Sequence, residues 1–324
     1  MPDFRNKVVF LFGPTAVGKT RLLSDFFSPI GEVVNADSVQ VYRGLDIGSA
    51  KADSTITETI PHHLIDILDP WENYNVADFI RLADKACSDI WSRGKLPVIS
   101  GGTAFYFKHF MYGLSEAPQS DPEIRNSVQL FIRDQGLKKA HDYLKIVDPV
   151  SASRINENDS YRISRAIEVY RQCGKPLSDF ALPTKPRNDM RILSIGLKRE
   201  KEELKERIRQ RVDIMFDQGL VNEIKNLMEM GATPSWQSMQ GIGYSEFMDV
   251  MFDPVYGDLL KTIDELTSED ITSIREKIVM DSVHYAKRQM TFFRSFADVK
   301  WIDADDTQTL GKEIKEFLEK QTTR

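Results

Sequence analysis

Apolar residues in this chain fall into short unbroken runs, separated by segments in which they recur at helical spacing. The run at 8–12 (VVFLF) shows no polar alternation, which predicts a strand buried on both faces. Gly13 ends it, and Leu22, Leu23, Phe26 and Phe27 then follow a helical period. Further strands are predicted at 32–35 (EVVN), 61–67 (PHHLIDI) and 97–100 (PVIS). Between the last two lies a helix over 76–93, apolar at Phe79, Leu82, Ala83, Ala86 and Ile90 and stopped by Gly94. Such alternation predicts an α/β fold, a parallel sheet covered by helices on both faces. Ligands of these sheets sit at the carboxyl ends of the strands, which makes Asp37, Asp69 and Thr103 the expected rim of a site.

The pattern changes near Ala117. Asp121-Pro122 and Asp148-Pro149 read as helix starts and Gly136 as a stop. Asp159 can cap a helix with Ile163, Ala166, Ile167 and Tyr170 on one face, ended by Gly174. With 182–186 as a linker, 117–187 is expected to be a small all-helical insertion between two parts of the sheet domain, 1–116 and 188–324. A strand returns at 191–197, followed by a charged helix over 201–216 with Gly219 as its cap. The last strong helix, 273–296, carries Val279, Val283, Ala286, Met290 and Phe293 on one stripe.

Composition narrows the class. At 324 residues, 41% hydrophobic and 28% charged, the chain can bury a full core and is long enough for about two domains. Two cysteines, Cys87 and Cys173, both on predicted helices and expected buried or inert, allow neither a disulfide framework nor a zinc site. No signal-like start or membrane-length apolar run is present, so a cytoplasmic protein without a membrane partner is expected. The net charge of −6 argues against an extensive nucleic-acid surface but permits a local basic face.

Chemistry is densest directly after the first strand. Gly13, Pro14, Thr15, Ala16, Val17, Gly18, Lys19 and Thr20 match G-x-x-x-x-G-K-[ST] between a strand and a helix. Backbone amides there converge on phosphate oxygens, Lys19 adds a mobile charge, and the Thr20 hydroxyl is the expected Mg²⁺ ligand. Asp37 follows a strand expected to neighbour this loop; a carboxylate beside phosphates serves a metal or moves a proton, although an Asp-Ser pair also makes an ordinary capping turn. No Asp follows Ser100, where an NTP hydrolase keeps a second metal ligand, and no N-K-x-D guanine motif occurs. His62 and His63, adjacent in a strand, point to opposite faces and read as structural. Basic and aromatic residues mix at 161–165 (YRISR) and 287–294 (KRQMTFFR), suiting a single-stranded RNA loop or a plain solvated face. Arg207, Arg209 and Arg211 alternate with Glu202, Glu203 and Glu206, as an ordinary charged surface would.

The order of these pieces resembles the tRNA dimethylallyltransferases across most of the chain. The matching stretches are 13–20 (GPTAVGKT), 36–51 (ADSVQVYRGLDIGSAK), 61–79, 101–103 (GGT), 121–125 (DPEIR), 158–170, 211–220, 240–246 (QGIGYSE) and 285–294 (YAKRQMTFFR). The resemblance implies a P-loop NTPase-like sheet and transfer of a prenyl group from dimethylallyl diphosphate to N6 of the tRNA adenosine at position 37. In it the loop 13–20 holds the diphosphate with Mg²⁺, and Asp37, Lys19 and Thr103 are catalytic. The tRNA anticodon stem-loop would meet Asp37, Ser38, Val39, Gln40, Thr103, Arg125, Tyr161, Arg162, Arg165, Gln240, Gly243, Tyr244, Lys287, Arg288, Gln289 and Arg294, on a monomeric protein. Ala104-Phe105, Ser245 and Phe292 depart from the family's usual Gly-Leu, basic residue and Trp, and imply a reshaped pocket wall, one lost phosphate contact and a retained stacking surface. Lack of a C-terminal zinc finger implies a bacterial type. Other readings are a small-molecule kinase that would bind ATP, and a prenyltransferase on free adenine nucleotide that would not need the basic blocks.

Overall fold

The protein, described by a computed structural model over residues 4–180 and 183–320, divides into two units, Met1–Phe110 with Asn188–Arg324 and Met111–Arg187. The first holds a six-stranded, wholly parallel sheet in the order β3-β2-β4-β1-β5-β6. Its strands are β1 (Lys7–Phe12), β2 (Gly31–Asn35), β3 (His62–His63), β4 (Leu96–Gly101), β5 (Arg191–Lys198) and β6 (Lys300–Asp303). All six residues of β1 are buried between β4 and β5. Alternate side chains serve opposite faces. Val9 and Leu11 pack with Leu22, Leu23 and Phe27 of α1 (Lys19–Phe27). Phe10 and Phe12 meet Phe107 of α4 (Ala104–Tyr112), and Phe12 stacks on Phe293 at 4.3 Å.

Around the sheet lie α2 (Ser54–Thr59), α3 (Val76–Ser92), α9 (Lys201–Asp217), α10 (Leu220–Glu229), α11 (Ser245–Met251), α12 (Ser268–Phe293) and α13 (Thr307–Glu319). The helical unit contains α5 (Pro122–Gln135), α6 (Leu137–Val147), α7 (Pro149–Ala152) and α8 (Ser160–Cys173) around Val128, Leu144, Ile163 and Ile167. Asp121 and Asp159 cap α5 and α8 as their positions predict, Asp121 accepting from the Glu123 and Ile124 N–H groups and Asp159 from that of Arg162.

Several expectations are corrected. The strand expected over 61–67 shrinks to two residues, because Leu64 (φ 63°) and Asp66 (φ 53°) turn left-handed and end the extended chain. Strand β2 pairs with β4, so Asp37 follows a strand one removed from β1. Gly136 both stops α5 and starts α6. Helix α12 begins at Ser268 behind a capping box of Thr267 and Asp270, and its buried positions are Ile274, Ile278, Ala286, Gln289 and Phe293, with Val279, Val283 and Met290 only partly covered. Cys87 is buried on α3, but Cys173 is exposed at the end of α8. The expected linker 182–186 lies partly outside the described residues. Among the described residues no helix is long and apolar enough to cross a membrane.

Candidate active site

The turn from β1 into α1 is the phosphate-type loop. Ala16 (φ 62°) and Gly18 (φ 108°) take left-handed conformations, and Gly18 caps α1 without a side chain, leaving the helix N-terminus open to a cleft of about 220 Å³. Lys19 Nζ donates to the Gly13 and Pro14 carbonyls, both at 2.9 Å. Burial, reinforced by the nearby Arg211, pushes its pKa down to about 7 against the opposing pull of Asp37. Thr20 is exposed on the cleft wall.

Helix α9 and the segment before it supply three arginines to this loop, correcting the reading of 201–216 as a plain charged surface. Arg211 Nη1 donates to Thr15 Oγ1 at 2.7 Å and Nη2 to the Ser49 carbonyl at 3.5 Å. Burial lowers its pKa, with Asp37 pulling the other way. Arg207 Nε holds the Ala16 carbonyl at 2.9 Å, and Arg199 Nε the Val17 carbonyl at 2.9 Å. Arg199 is itself fixed by Asp305, at 2.6 and 2.7 Å. Alternating Glu and Arg masked this inward face.

The opposite wall is built from the ends of β2 and β4. Asp37 Oδ1 accepts from Val39 N–H (2.9 Å) and Gln40 N–H (3.3 Å), which orients the carboxylate. Thr103 Oγ1 accepts from Ser38 N–H at 3.2 Å, and the Ala36 carbonyl accepts from Thr103 N–H at 3.1 Å, so the two strand ends are laced together. Gln40 Nε2 bonds the Ser49 and Ala50 carbonyls. Tyr285 OH reaches the Gly102 carbonyl at 3.5 Å, and burial with the Asp37 charge pushes its pKa up to about 12. A second cavity of about 310 Å³ shares Thr15, Asp37, Arg211 and Tyr285 with the first and has an apolar wall that includes Val39, Val212, Ile242 and Ile278. Half-buried cations, Lys19 and Arg211, on one side and an oriented carboxylate on the other therefore face one cleft. Such a cleft suits loss of an anionic leaving group and of a proton in the same step.

The IPP transferase family model matches residues 40–296. The tRNA dimethylallyltransferase of Borrelia turicatae is 42% identical over 302 residues, spanning 93% of this chain and 96% of the relative. The chain belongs to the IPP transferase family. Its fold matches a crystallised tRNA isopentenylpyrophosphate transferase from Bacillus halodurans at 35% identity and a TM-score of 0.67, covering 97% of each chain. It also matches a eukaryotic dimethylallyltransferase crystallised acting on tRNA, at 26% identity and a TM-score of 0.74, over 96% of this chain and 77% of that one.

Within this IPP transferase the remaining nominated residues divide by depth. Gln240 lines the second cavity. Tyr244 is fully buried; its OH donates to Glu223 at 2.7 Å and accepts from Ser49 N–H at 3.1 Å, so it braces the 45–51 loop and cannot meet an RNA directly. Gly243 (φ 97°) packs its backbone against Gly48 in the same brace. Glu223, which also takes the Asp46, Ile47 and Gly48 N–H groups, went unread in the sequence. Gln289 is buried between protein groups. Lys287, Arg288 and Arg294 are exposed, with Lys108 Nζ 5.6 Å above the Phe292 ring beside the first two. In the helical unit Tyr161 is 72% exposed, Arg162 pairs with Asp159 at 3.0 Å, and Arg125 (3.9 Å) and Arg165 (3.7 Å) share the buried carboxylate of Glu168.

Two further expectations move, and the two histidines are held by protein groups. Asp69 pairs with Arg43 at 2.6 Å and lines neither cavity of the site. Ala104 and Phe105 line neither cavity, and Phe105 is exposed against His109, so this departure leaves the pocket wall unchanged. His63 Nε2 lies 2.7 Å from Glu32, while His62 Nδ1 lies 2.8 Å from the Ile60 carbonyl.

Proposed function

We propose that the chain transfers a dimethylallyl group from dimethylallyl diphosphate to N6 of the adenosine at position 37 of tRNA, beside the anticodon, releasing diphosphate. The observation that carries this reading is the pair of half-buried cations without a carboxylate partner, Lys19 and Arg211, at a phosphate loop whose cleft also contains the Asp37 carboxylate. Diphosphate lies against the amides at the start of α1, and Lys19 Nζ turns from the Gly13 and Pro14 carbonyls to its oxygens. As the C–O bond breaks, negative charge grows on the departing oxygen, where these fixed donors stabilise it. The amine nitrogen forms the new C–N bond, and its proton passes to Asp37 Oδ2, since Oδ1 is held by backbone N–H groups. Thr103 and Gln40 stand beside Asp37 to orient the base.

Thr20 offers a hydroxyl to Mg²⁺, and the described residues contain no cluster of three or more His, Cys, Asp or Glu for a metal. That donor set fits an ion held chiefly by diphosphate oxygens and water. When bound, Mg²⁺ supplies neutralisation of the leaving group's charge. The target base must leave its stack to reach this depth. Arg125, Tyr161, Arg162 and Arg165 of the helical unit and Lys287, Arg288 and Arg294 of α12 and its end suit the phosphates and bases of an anticodon stem-loop. The protein acts as a monomer in the cytoplasm.

The test is transfer of label from dimethylallyl diphosphate, with Mg²⁺, to an anticodon stem-loop bearing adenosine at position 37. Expected is label on that loop alone, absent from a guanosine loop and from free AMP, and lost with Asp37→Ala. Label on AMP, or phosphate transfer from ATP to a small molecule with no prenyl transfer, overturns the reading.

A further inference from the structure

Gln289 sits on the buried stripe of α12 with only 3% of its surface exposed. An amide there is costly unless both ends are satisfied. Its Oε1 accepts from Thr15 N–H at 3.0 Å and its Nε2 donates to the Gly102 carbonyl at 2.7 Å. Thr15 belongs to the phosphate loop; Gly102 belongs to the turn that carries Thr103. Tyr285, one helical turn earlier on the same face, reaches the same carbonyl. A Cβ at position 102 would lie 2.4 Å from Gln289 Nε2, so glycine is what lets the amide close on the carbonyl. The same Cβ would lie 3.9 Å from Asp37 Oδ2, so Gly102, the residue that the tie holds, is a neighbour of the carboxylate.

We propose that Gln289 is a positioning residue that sets the distance between the loop holding the leaving group and the turn presenting the acceptor, and so couples their occupancy. Its kinetic consequence rests on the transfer reading above; the coupling itself does not. Displacement at carbon needs the entering nitrogen, the carbon and the departing oxygen in line, and an error of ~1 Å costs on the order of 10² in rate. One amide spanning both loops removes that freedom. It also transmits order: a phosphate loop stiffened by diphosphate holds Gly102 and Thr103 more firmly.

Two variants and two readouts test this. In Gln289→Leu both hydrogen bonds go; kcat is expected to fall by about 10- to 100-fold, with KM for the stem-loop little changed. In Gln289→Glu the acceptor for Thr15 N–H remains, while the second oxygen faces the Gly102 carbonyl. Ionised, it repels that carbonyl; protonated, it donates to it. The activity of Gln289→Glu relative to wild type is therefore expected to rise as pH falls from 8.5 to 6, which a role in folding alone would not produce if Tm is equal at both pH values. The second readout needs no turnover: hydrogen exchange across 101–104 with and without inorganic diphosphate. Wild type is expected to gain protection there, and Gln289→Leu is expected to gain none. Equal protection in a folded Gln289→Leu protein, or a pH-independent activity ratio for Gln289→Glu, overturns the proposal. Wild type that fails to transfer label overturns the functional reading instead, and the exchange result still decides the coupling.

Discussion

Lys19 and Arg211 of the sheet unit and Arg162 of the helical unit are held in opposite ways. Lys19 and Arg211 are half-buried beside the phosphate loop, bonded to neutral carbonyl and hydroxyl oxygens, and neither pairs with a carboxylate among the described residues. Arg125, Arg162 and Arg165 each have a carboxylate partner, and Arg162 stands largely in solvent. A cation partly shielded from water and left without a carboxylate carries some desolvation cost in the folded protein and recovers it when an anion arrives. A surface pair is screened by salt, is worth about 0–1 kcal/mol, and exchanges its partner readily. The first arrangement gives depth and charge stabilisation at one point. The second, at Arg162, leaves a cation whose partner is replaceable and whose attraction is salt-sensitive, while Arg125 and Arg165 are anchored on the buried Glu168.

The sharpest break of this contrast would come through the carboxylate that faces the cleft cations without pairing with them. Asp37→Asn is expected to lose about 10²- to 10⁴-fold in kcat for prenyl transfer while binding inorganic diphosphate as well as wild type or better, since a repelling charge is gone. Next comes Arg211→Leu. Affinity for inorganic diphosphate, measured calorimetrically, is expected to fall by about a hundredfold, with no loss in Tm of the ligand-free protein. A lower Tm would mean that Arg211 is already compensated, and the contrast would fail.

Proton linkage gives a finer measurement. With its pKa near 7, Lys19 is mostly neutral at pH 8 in the empty cleft. Diphosphate favours the charged form, so binding at pH 8 should take up about one more proton in wild type than in Lys19→Met, and the difference should vanish below pH 6. Calorimetry in buffers of different ionisation enthalpy reads this directly. In the ligand-free protein the sign is fixed too: the unfolded chain keeps this lysine charged up to its ordinary pKa, so its contribution to stability grows as pH rises above 7. The smallest effect is expected at the surface. Arg162→Ala should weaken stem-loop binding by less than about tenfold and lower the slope of log affinity against log salt by about one.

The legible parts of the fold were those whose signal is local. Strand β1, the loop 13–20, α3 and the caps Asp121 and Asp159 all appear within a residue or two of their expected places. Strand β6, four residues of mixed polarity, carries little periodic signal, whereas α13, with Leu310, Ile314 and Phe317 at helical spacing, is legible in the sequence although no helix is predicted there. At the site, Lys19 and Asp37 line one cleft, whereas Thr103 lines neither cavity and only holds Ser38 N–H beside Asp37; the inward roles of Arg199, Arg207, Arg211 and Glu223 have no local signal in the sequence.

Tyr244, Gln289 and Arg211 show where the boundary falls. By itself the sequence determined a strand–loop–helix of the phosphate-binding type, because glycine freedom, an apolar run and a lysine at set spacing act over a dozen neighbouring residues. Only the tertiary structure decided that Arg211 faces inward, that Gln289 spans two loops and that Tyr244 is a brace. The physical reason is that a polar side chain on a helix can satisfy its hydrogen bonds in water or against a partner far along the chain, and the local pattern is the same in both cases.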